Sequence, residues 1–345
     1  MRGLTIRTGG AEVTLQELAE PAPAAGELLV DGVALGVCGT DRWLLARGPH
    51  RLPAGRDRMV LGHESLGRVR AAPAGSSFAP GDLVTGLVRR PDPLPCRCCA
   101  AGELDICLNG RYTELGIVGA DGYGAQRYLL GEEYAVGVSP QLGLAGVLVE
   151  PTSIVAKAWE RLDASVRWPQ GRALVLGAGP IGLLAALLAQ QRGYEVHVVD
   201  RVTGGPKVGQ VRALGATYHR GVGDLEGEFD AVLECSGELA ADAIAATARG
   251  GSLCFVAGAH GGAVSTIELA ALTGALIGNR TLTGVVSSNR RHFEAAHSAL
   301  QKADRDWLDE LLTAVVPLDN YAAAFNGGPD TIKAVIQLGA VPACP

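Results

Sequence analysis

The stretch "RALVLGAGPIGLLAALLAQQRGYEVHVVD", residues 172–200, decides the architecture. "RALVLGAG" reads as a buried strand running into a glycine turn, "PIGLLAALLAQQRG" as a helix ended by Gly193, and "YEVHVVD" as a second strand. Gly177, Gly179 and Gly182 have the G-x-G-x-x-G spacing, and Asp200 closes the second strand, 18 residues past Gly182. Each glycine meets a different steric demand. Gly177 permits a tight turn, Gly179 lets the backbone approach a pyrophosphate, and Gly182 lets helix and strand pack closely. The helix N-terminus would then face phosphates with its partial positive charge. Asp200 would accept hydrogen bonds from an adenosine ribose and repel a 2′-phosphate, which predicts NAD over NADP, while Arg201 offers a guanidinium that could hold that phosphate. The competing reading is a tight strand–helix turn with a solvated acid at the strand end. The apolar run 173–190 has the length of a membrane span, but three glycines and a proline in its first ten residues break it into strand, turn and helix.

Downstream, "PKVGQVRALGA" reads as helix, and "FDAVLECSG" and "GGSLCFVAG" as further apolar strands. Upstream, "SIVAKAWERL", 153–162, reads as a helix with Ile154, Ala158 and Leu162 on one face. Short apolar strands alternating with helices imply a parallel sheet covered on both faces. Before about residue 150 the texture differs. "GELLVDGVALGVC", "SLGRVRAA" and "GDLVTGLV" are short strand-like runs between Gly and Pro breakers, which predicts a mostly β, barrel-like unit. After about residue 288 mixed structure returns, ending in the strand-like "TIKAVIQL".

At 345 residues two domains are expected. With a net charge of −6 and no Lys/Arg block, nothing points to a nucleic-acid or anionic-membrane partner. The start of the chain, "MRGLTIRTGGAEVTL", has no apolar core of signal-peptide length, so the expected setting is the cytoplasm, where thiols stay reduced. Four of the eight cysteines crowd into "LPCRCCAAGELDICLNG", 94–110, and in that compartment clustered cysteines suggest metal. "GVCGTD" supplies Cys38, Thr40 and Asp41, and "LGHES" supplies His63 and Glu64. Thiolate, imidazole and carboxylate make a chemically sensible zinc set. A lone cysteine at 38 is more often a core residue and a lone histidine at 63 a hydrogen-bonded structural one, and neither separation is diagnostic.

In order along nearly the whole chain, "GVCGTD", "LGHE", the cysteine cluster, "YTELGI", "DGYGAQRY", "VEPTSI" and "GAGPIG" resemble the zinc-dependent medium-chain dehydrogenase/reductase superfamily. Within it the set is most similar to the glucose dehydrogenase-like branch of polyol dehydrogenases. The resemblance implies an α/β protein: a GroES-like, mostly-β catalytic domain, 1–152 completed by 289–345, around an inserted Rossmann domain, 153–288. It implies a homodimer or homotetramer assembled through the Rossmann domains. It implies a catalytic zinc held by Cys38, His63, Glu64 and Glu150, the last directly or through water, and Thr40 as the hydroxyl that relays the substrate proton. It further implies Glu114, with Glu150, as a sugar contact, and Pro180, Ile181 and Ser287 beside the cofactor. The family's structural zinc uses C-x2-C-x2-C-x7-C. Cys96, Cys99 and Cys107 fit the last three positions, and the first falls on Pro93, so either Asp92 or Cys98 is expected as the fourth ligand. The alternative is a lobe without metal and with exposed thiols.

Three departures concern the substrate. Val88 stands where the branch has asparagine before its paired arginines, here Arg89 and Arg90; Ala156 replaces an acid in "EPTSIVAKA"; and Val286–Ser287 replaces Val–Asn. Each removes a polar group, which predicts a less hydroxylated or differently shaped substrate than free glucose. The expected reaction is reversible hydride transfer between NAD(P) and a secondary alcohol of a sugar, cyclitol or related polyol. Rival readings are a zinc- and NAD-assisted epimerase, and a nucleotide-binding sensor or structural protein without chemistry.

Overall fold

The structure is a computed structural model that describes residues 1–9, 12–167, 170–257 and 267–339. Gly258, the last residue of "GGSLCFVAG", lies outside the described residues. The chain divides into two compact units, Met1–Glu150 with Ser287–Pro345, and Pro151–Val286.

The second unit carries six parallel strands in the order Thr217–His219, Glu195–Val199, Arg172–Leu176, Phe229–Glu234, Thr247–Phe255 and Thr281–Gly284. Numbered along the chain that order is 3-2-1-4-5-6, a doubly wound sheet. Its core holds Leu174, Leu176, Phe229, Val232 and Leu253, all without solvent exposure. The expected helix runs Pro180–Gln191, and every residue from Gly182 to Ala189 is buried. The chain leaves it through Gly193 at φ +82°, a conformation glycine adopts without steric cost. The run that matched a membrane span in length is therefore one strand and one helix. Among the described residues one helical stretch, Pro140–Asp163, is long and apolar enough to cross a membrane, and 83% of its apolar window is buried inside the protein.

The helix predicted over 153–162 runs Val149–Asp163 and follows a 3-10 stretch, Pro140–Leu148. Pro151 falls in its first turn, where backbone N–H groups need no intrahelical partner, so proline does not delay the start. Glu150 is consequently a first-turn residue.

The first unit is mostly β. Its largest sheet runs in the order Ala135–Val138, Leu83–Gly86, Glu64–Ala71, Glu27–Val37, Ala334–Gln337 and Ala314–Pro317, and Arg127–Gly131 also pairs with Glu27–Val37. The strand near the C-terminus completes this sheet from within: Ala334 pairs with Val37 and Val335 with Gly36, and on the other side Gly36 pairs with Glu64. Leu4, Ile6, Leu28, Val30, Met59, Leu61 and Ile336 form its fully buried core. That register sets residue 333 beside residues 37 and 64.

Candidate active site and metal centres

Cys38 follows the strand Glu27–Val37 directly and caps the helix Gly39–Arg47 with extended backbone. Its backbone N–H donates to Asp41 Oδ2 at 2.7 Å, which locks the turn. Thr40 sits in the first helical turn with Oγ1 3.8 Å from Cys38 Sγ. On the adjacent strand, Gly62 turns at φ +95° and presents His63 and Glu64, which are 4% and 1% exposed. One ligand atom each from Cys38, His63 and Glu64 fall within 4.8 Å of one another. Glu150 lies outside that trio although it is buried.

The electrostatics suit a cation. His63 Nδ1 lies 3.4 Å from Asp41 Oδ1, and neither buried atom makes a hydrogen bond. Burial works against a charged His63, yet Asp41 and Cys38 raise it well above the usual imidazole range. Burial pushes Glu150 up to about 7, with repulsion from Glu64 and Asp41 adding to it and His63 and Lys333 opposing. A thiol and an imidazole thus converge among carboxylates that call for positive charge, and Cys38 with His63 fits zinc, while both oxygens of Glu64, the third group, are taken by the buried Lys333. Asp41 stands beside the imidazole where metal-binding histidines carry an orienting carboxylate, at a contact of 3.4 Å without a hydrogen bond.

Lys333 was not expected from the sequence, and Asp41 was singled out there without a partner or a role. Asp41 stood inside the "GVCGTD" motif, three positions after Cys38, a spacing that marks a capping residue. Lys333, 1% exposed, donates from Nζ to both oxygens of Glu64 at 2.7 Å and to Val37 O at 3.4 Å. The signal for it was a single lysine within the apolar run "TIKAVIQL", since a fully buried lysine needs a partner.

The cysteine lobe brings together three sulfurs and not four. Cys96, Cys99 and Cys107 lie within 4.8 Å of one another, with Cys96 Sγ 3.6 Å from Cys99 Sγ. The backbone N–H groups of Cys99 and Leu108 pull the Cys96 thiol down to about 6, while burial pushes Cys99 up to about 12. Neither expected fourth ligand joins them. Asp92 accepts from Leu94 N at 2.9 Å, Asn109 Nδ2 at 3.0 Å and Arg111 Nε at 2.8 Å, so both its oxygens close the loop instead. Cys98 lies on the helix Arg97–Ala100 and its sulfur is outside the group. Among the described residues three thiols converge and no fourth protein ligand joins them, one short of the four that close a structural zinc site.

In the second unit, Gly177 has φ +102°, and a Cβ on Gly182 would come 1.7 Å from Gly177 O, so both positions require glycine. A Cβ on Gly179 would meet nothing within 4 Å, leaving open space before the turn. Pro180 and Ile181 begin the helix. Asp200 Oδ2 accepts from Ala178 N at 2.7 Å, so this acid also braces the turn. Arg201 is 85% exposed and lies 3.5 Å from Glu238. Ser287, at φ +59°, belongs to the first unit. Glu114, 15% exposed, faces Arg89 across an antiparallel pair, and both Val88 and Ala156 are buried.

Residues 24–140 match the alcohol dehydrogenase GroES-like domain and residues 143–338 the glucose dehydrogenase C-terminus. Glucose 1-dehydrogenase of Thermoproteus tenax is 36% identical, covering 98% of this chain and 99% of its own. Glucose 1-dehydrogenase of Haloferax mediterranei is 33% identical over 99% of this chain and all of its own. The solved structure of Haloferax mediterranei glucose dehydrogenase in complex with NADP, Zn and gluconolactone superposes with a TM-score of 0.91 at 31% identity, covering 99% of this chain and all of that one.

Proposed function

This chain belongs to the glucose dehydrogenase-like branch of the zinc-dependent medium-chain dehydrogenases, and from that premise we propose the roles of its residues, its substrate preference and its assembly. The reaction class is hydride transfer between NAD(P) and a secondary alcohol or ketone of a sugar-like substrate, with zinc as cofactor. The observation that carries the assignment of residues is the meeting of Cys38, His63 and Glu64 in one buried cluster.

Zinc supplies Lewis acidity towards the alcohol oxygen and the nicotinamide takes up the hydride. Cys38 and His63 hold the ion, and Asp41 orients the imidazole. Lys333 keeps Glu64 as half of a neutral pair, so this carboxylate adds little net charge next to the reacting oxygen. Thr40 accepts the alcohol proton as it passes its own outward, a role favoured by its place two residues from Cys38, with Oγ1 3.8 Å from the sulfur. The open face of Gly179 and the helix start at Pro180 receive the pyrophosphate.

The proposed substrate is a sugar that asks for fewer polar contacts than glucose, because Val88 and Ala156 place buried apolar groups where the branch carries polar ones. A panel of glucose, deoxysugars, aminosugars and cyclitols, assayed with NAD and NADP in parallel, tests this reading. It is supported by a higher kcat/KM on a less hydroxylated sugar and contradicted by glucose leading the panel.

NAD is the proposed preference, with NADP accepted, since Arg201 is held by a rim ion pair worth little and is free to turn to a 2′-phosphate. Asp200→Asn keeps an acceptor for Ala178 N but removes the charge that repels the phosphate. The NADP-to-NAD ratio of kcat/KM is expected to rise about tenfold, equivalent to roughly 1.4 kcal/mol; an unchanged ratio would remove Asp200 from cofactor selection.

A homodimer is proposed through the edge of the parallel sheet. Thr281–Gly284 is paired on one side only among the described residues, and the preceding helix Leu269–Ile277 exposes Leu269, Leu272, Leu276 and Ile277. Light scattering should return at least twice the chain mass, and a monomer would contradict it. A reducing, cytoplasmic setting belongs to the same reading, and the seven described cysteines are all free thiols.

A further inference from the structure

We propose that Arg89 is a positioning residue that fixes Glu114 as a single-oxygen acceptor for one hydroxyl of the sugar and anchors it to the cysteine loop. This inference rests on the sugar dehydrogenase reading above. Arg89 and Glu114 stand directly opposite each other in the antiparallel pair of Arg89–Arg90 with Thr113–Leu115. Arg89 Nε and Nη2 donate to the same oxygen, Glu114 Oε1, at 3.1 and 2.8 Å. The remaining arm of the fork, Nη1, donates to Asp105 O at 2.8 Å. The guanidinium stacks 3.8 Å over the Tyr112 ring, and the residue is 4% exposed. All three nitrogens of the planar group donate, which a lysine cannot reproduce.

The far anchor is itself held. Asp105 lies in the 3-10 turn Leu104–Ile106, between Cys99 and Cys107, and is 3% exposed. Its Oδ1 accepts from Asn289 Nδ2 at 3.0 Å, and that amide also reaches Glu103 Oε2 at 3.2 Å. Arg291 grips Glu103 at 2.8 Å. Glu114 is thereby braced through the loop onto the start of the helix Arg290–Gln301. Its second oxygen, Oε2, has no partner among the described residues, while the side chain as a whole is only 15% exposed. That oxygen can only accept. A substrate hydroxyl satisfies it, and a deoxy or fluoro group at that carbon leaves it unpaired, which is the arrangement that discriminates most strongly. Val88, next to Arg89, is apolar, so selection along this pair of strands falls to Glu114.

The test is steady-state kinetics of the zinc-replete enzyme with the best sugar of the panel and its monodeoxy series. Arg89→Lys, Arg89→Met and Glu114→Gln are each expected to raise the sugar KM about tenfold or more, with kcat within about threefold and the cofactor KM unmoved. The double variant R89M/E114Q should be no worse than the weaker single one, because both remove the same contact. The unaltered enzyme should lose most on one deoxysugar, and E114Q should no longer distinguish that position. A sugar KM unchanged in folded R89K and R89M, or effects that add in the double variant, would overturn the inference alone. If R89M fails to fold, R89K and the deoxysugar series with E114Q decide it. Turnover of no sugar by the unaltered enzyme would overturn the sugar reading and the inference with it.

Discussion

Replacing Cys38 by serine is expected to lower kcat by at least about a thousandfold, a loss of roughly 4 kcal/mol of transition-state stabilisation. Cys38 supplies the sulfur of the Cys38–His63–Glu64 cluster, and a serine hydroxyl at that place is a far weaker ligand for zinc than a thiolate. The fold around it should persist, because the capping bond from residue 38 to Asp41 uses the backbone N–H and not the sulfur. Zinc content should fall by about one ion per chain, the one held by Cys38 and His63. NAD(P) affinity should hold, since Gly177, Gly179, Gly182 and Asp200 belong to the other compact unit. Metal analysis, cofactor fluorescence titration and turnover on the same preparation check all three. A variant that loses cofactor binding together with turnover would show misfolding rather than loss of a metal ligand.

Lys333→Met is expected to be the most destabilising single change near the site. Lys333 and Glu64 are each about 1% exposed and meet through two 2.7 Å hydrogen bonds. Removing the lysine leaves a buried carboxylate without its counter-charge, which costs about 3–5 kcal/mol. For a unit of this size that lowers Tm by roughly 10 °C. Burial opposes a charged Lys333, but Glu64, with Cys38 and Glu150, outweighs it and raises the lysine above its ordinary value. A raised folded-state value means the contribution is fully present below the unfolded-state value and is lost only as pH rises through the folded one. The cost should therefore be constant from about pH 6 to about pH 9. Adding Glu64→Gln to Lys333→Met removes the stranded charge and should recover a large part of the Tm without restoring activity. Scanning calorimetry of the two variants checks this, and a Tm within about 2 °C of the unaltered protein in K333M would contradict it.

Much of this was legible because the signals were local. The G-x-G-x-x-G turn, the helix after it and Asp200 lie within one βαβ stretch, and the structure shows the φ of Gly177, the close packing of Gly182 and the open face of Gly179. Cys38 and His63 were legible as chemistry, although their meeting depends on the pairing of two neighbouring strands, with Gly36 opposite Glu64. What was missed depended on long-range register. Lys333 reaches Glu64 across 269 positions because Ala334–Gln337 adds to the edge of Glu27–Val37, and no spacing rule encodes that. The fourth ligand of the cysteine lobe was misplaced because nearness along the chain says nothing of competing hydrogen bonds. Leu94, Asn109 and Arg111 had already taken both oxygens of Asp92.

The central claim is that a carbon-bound hydrogen of a sugar leaves as hydride to the nicotinamide in a zinc-dependent step. A sugar substrate carrying deuterium at the carbon being oxidised follows that hydrogen directly. Mass spectrometry should find one deuterium in each reduced nicotinamide formed, with reduced cofactor and oxidised sugar in equal amounts and at least about a thousandfold less of either per unit time in the Cys38→Ser variant. Deuterium released to water, or returned to an epimerised sugar with no net reduction of the cofactor, would contradict it.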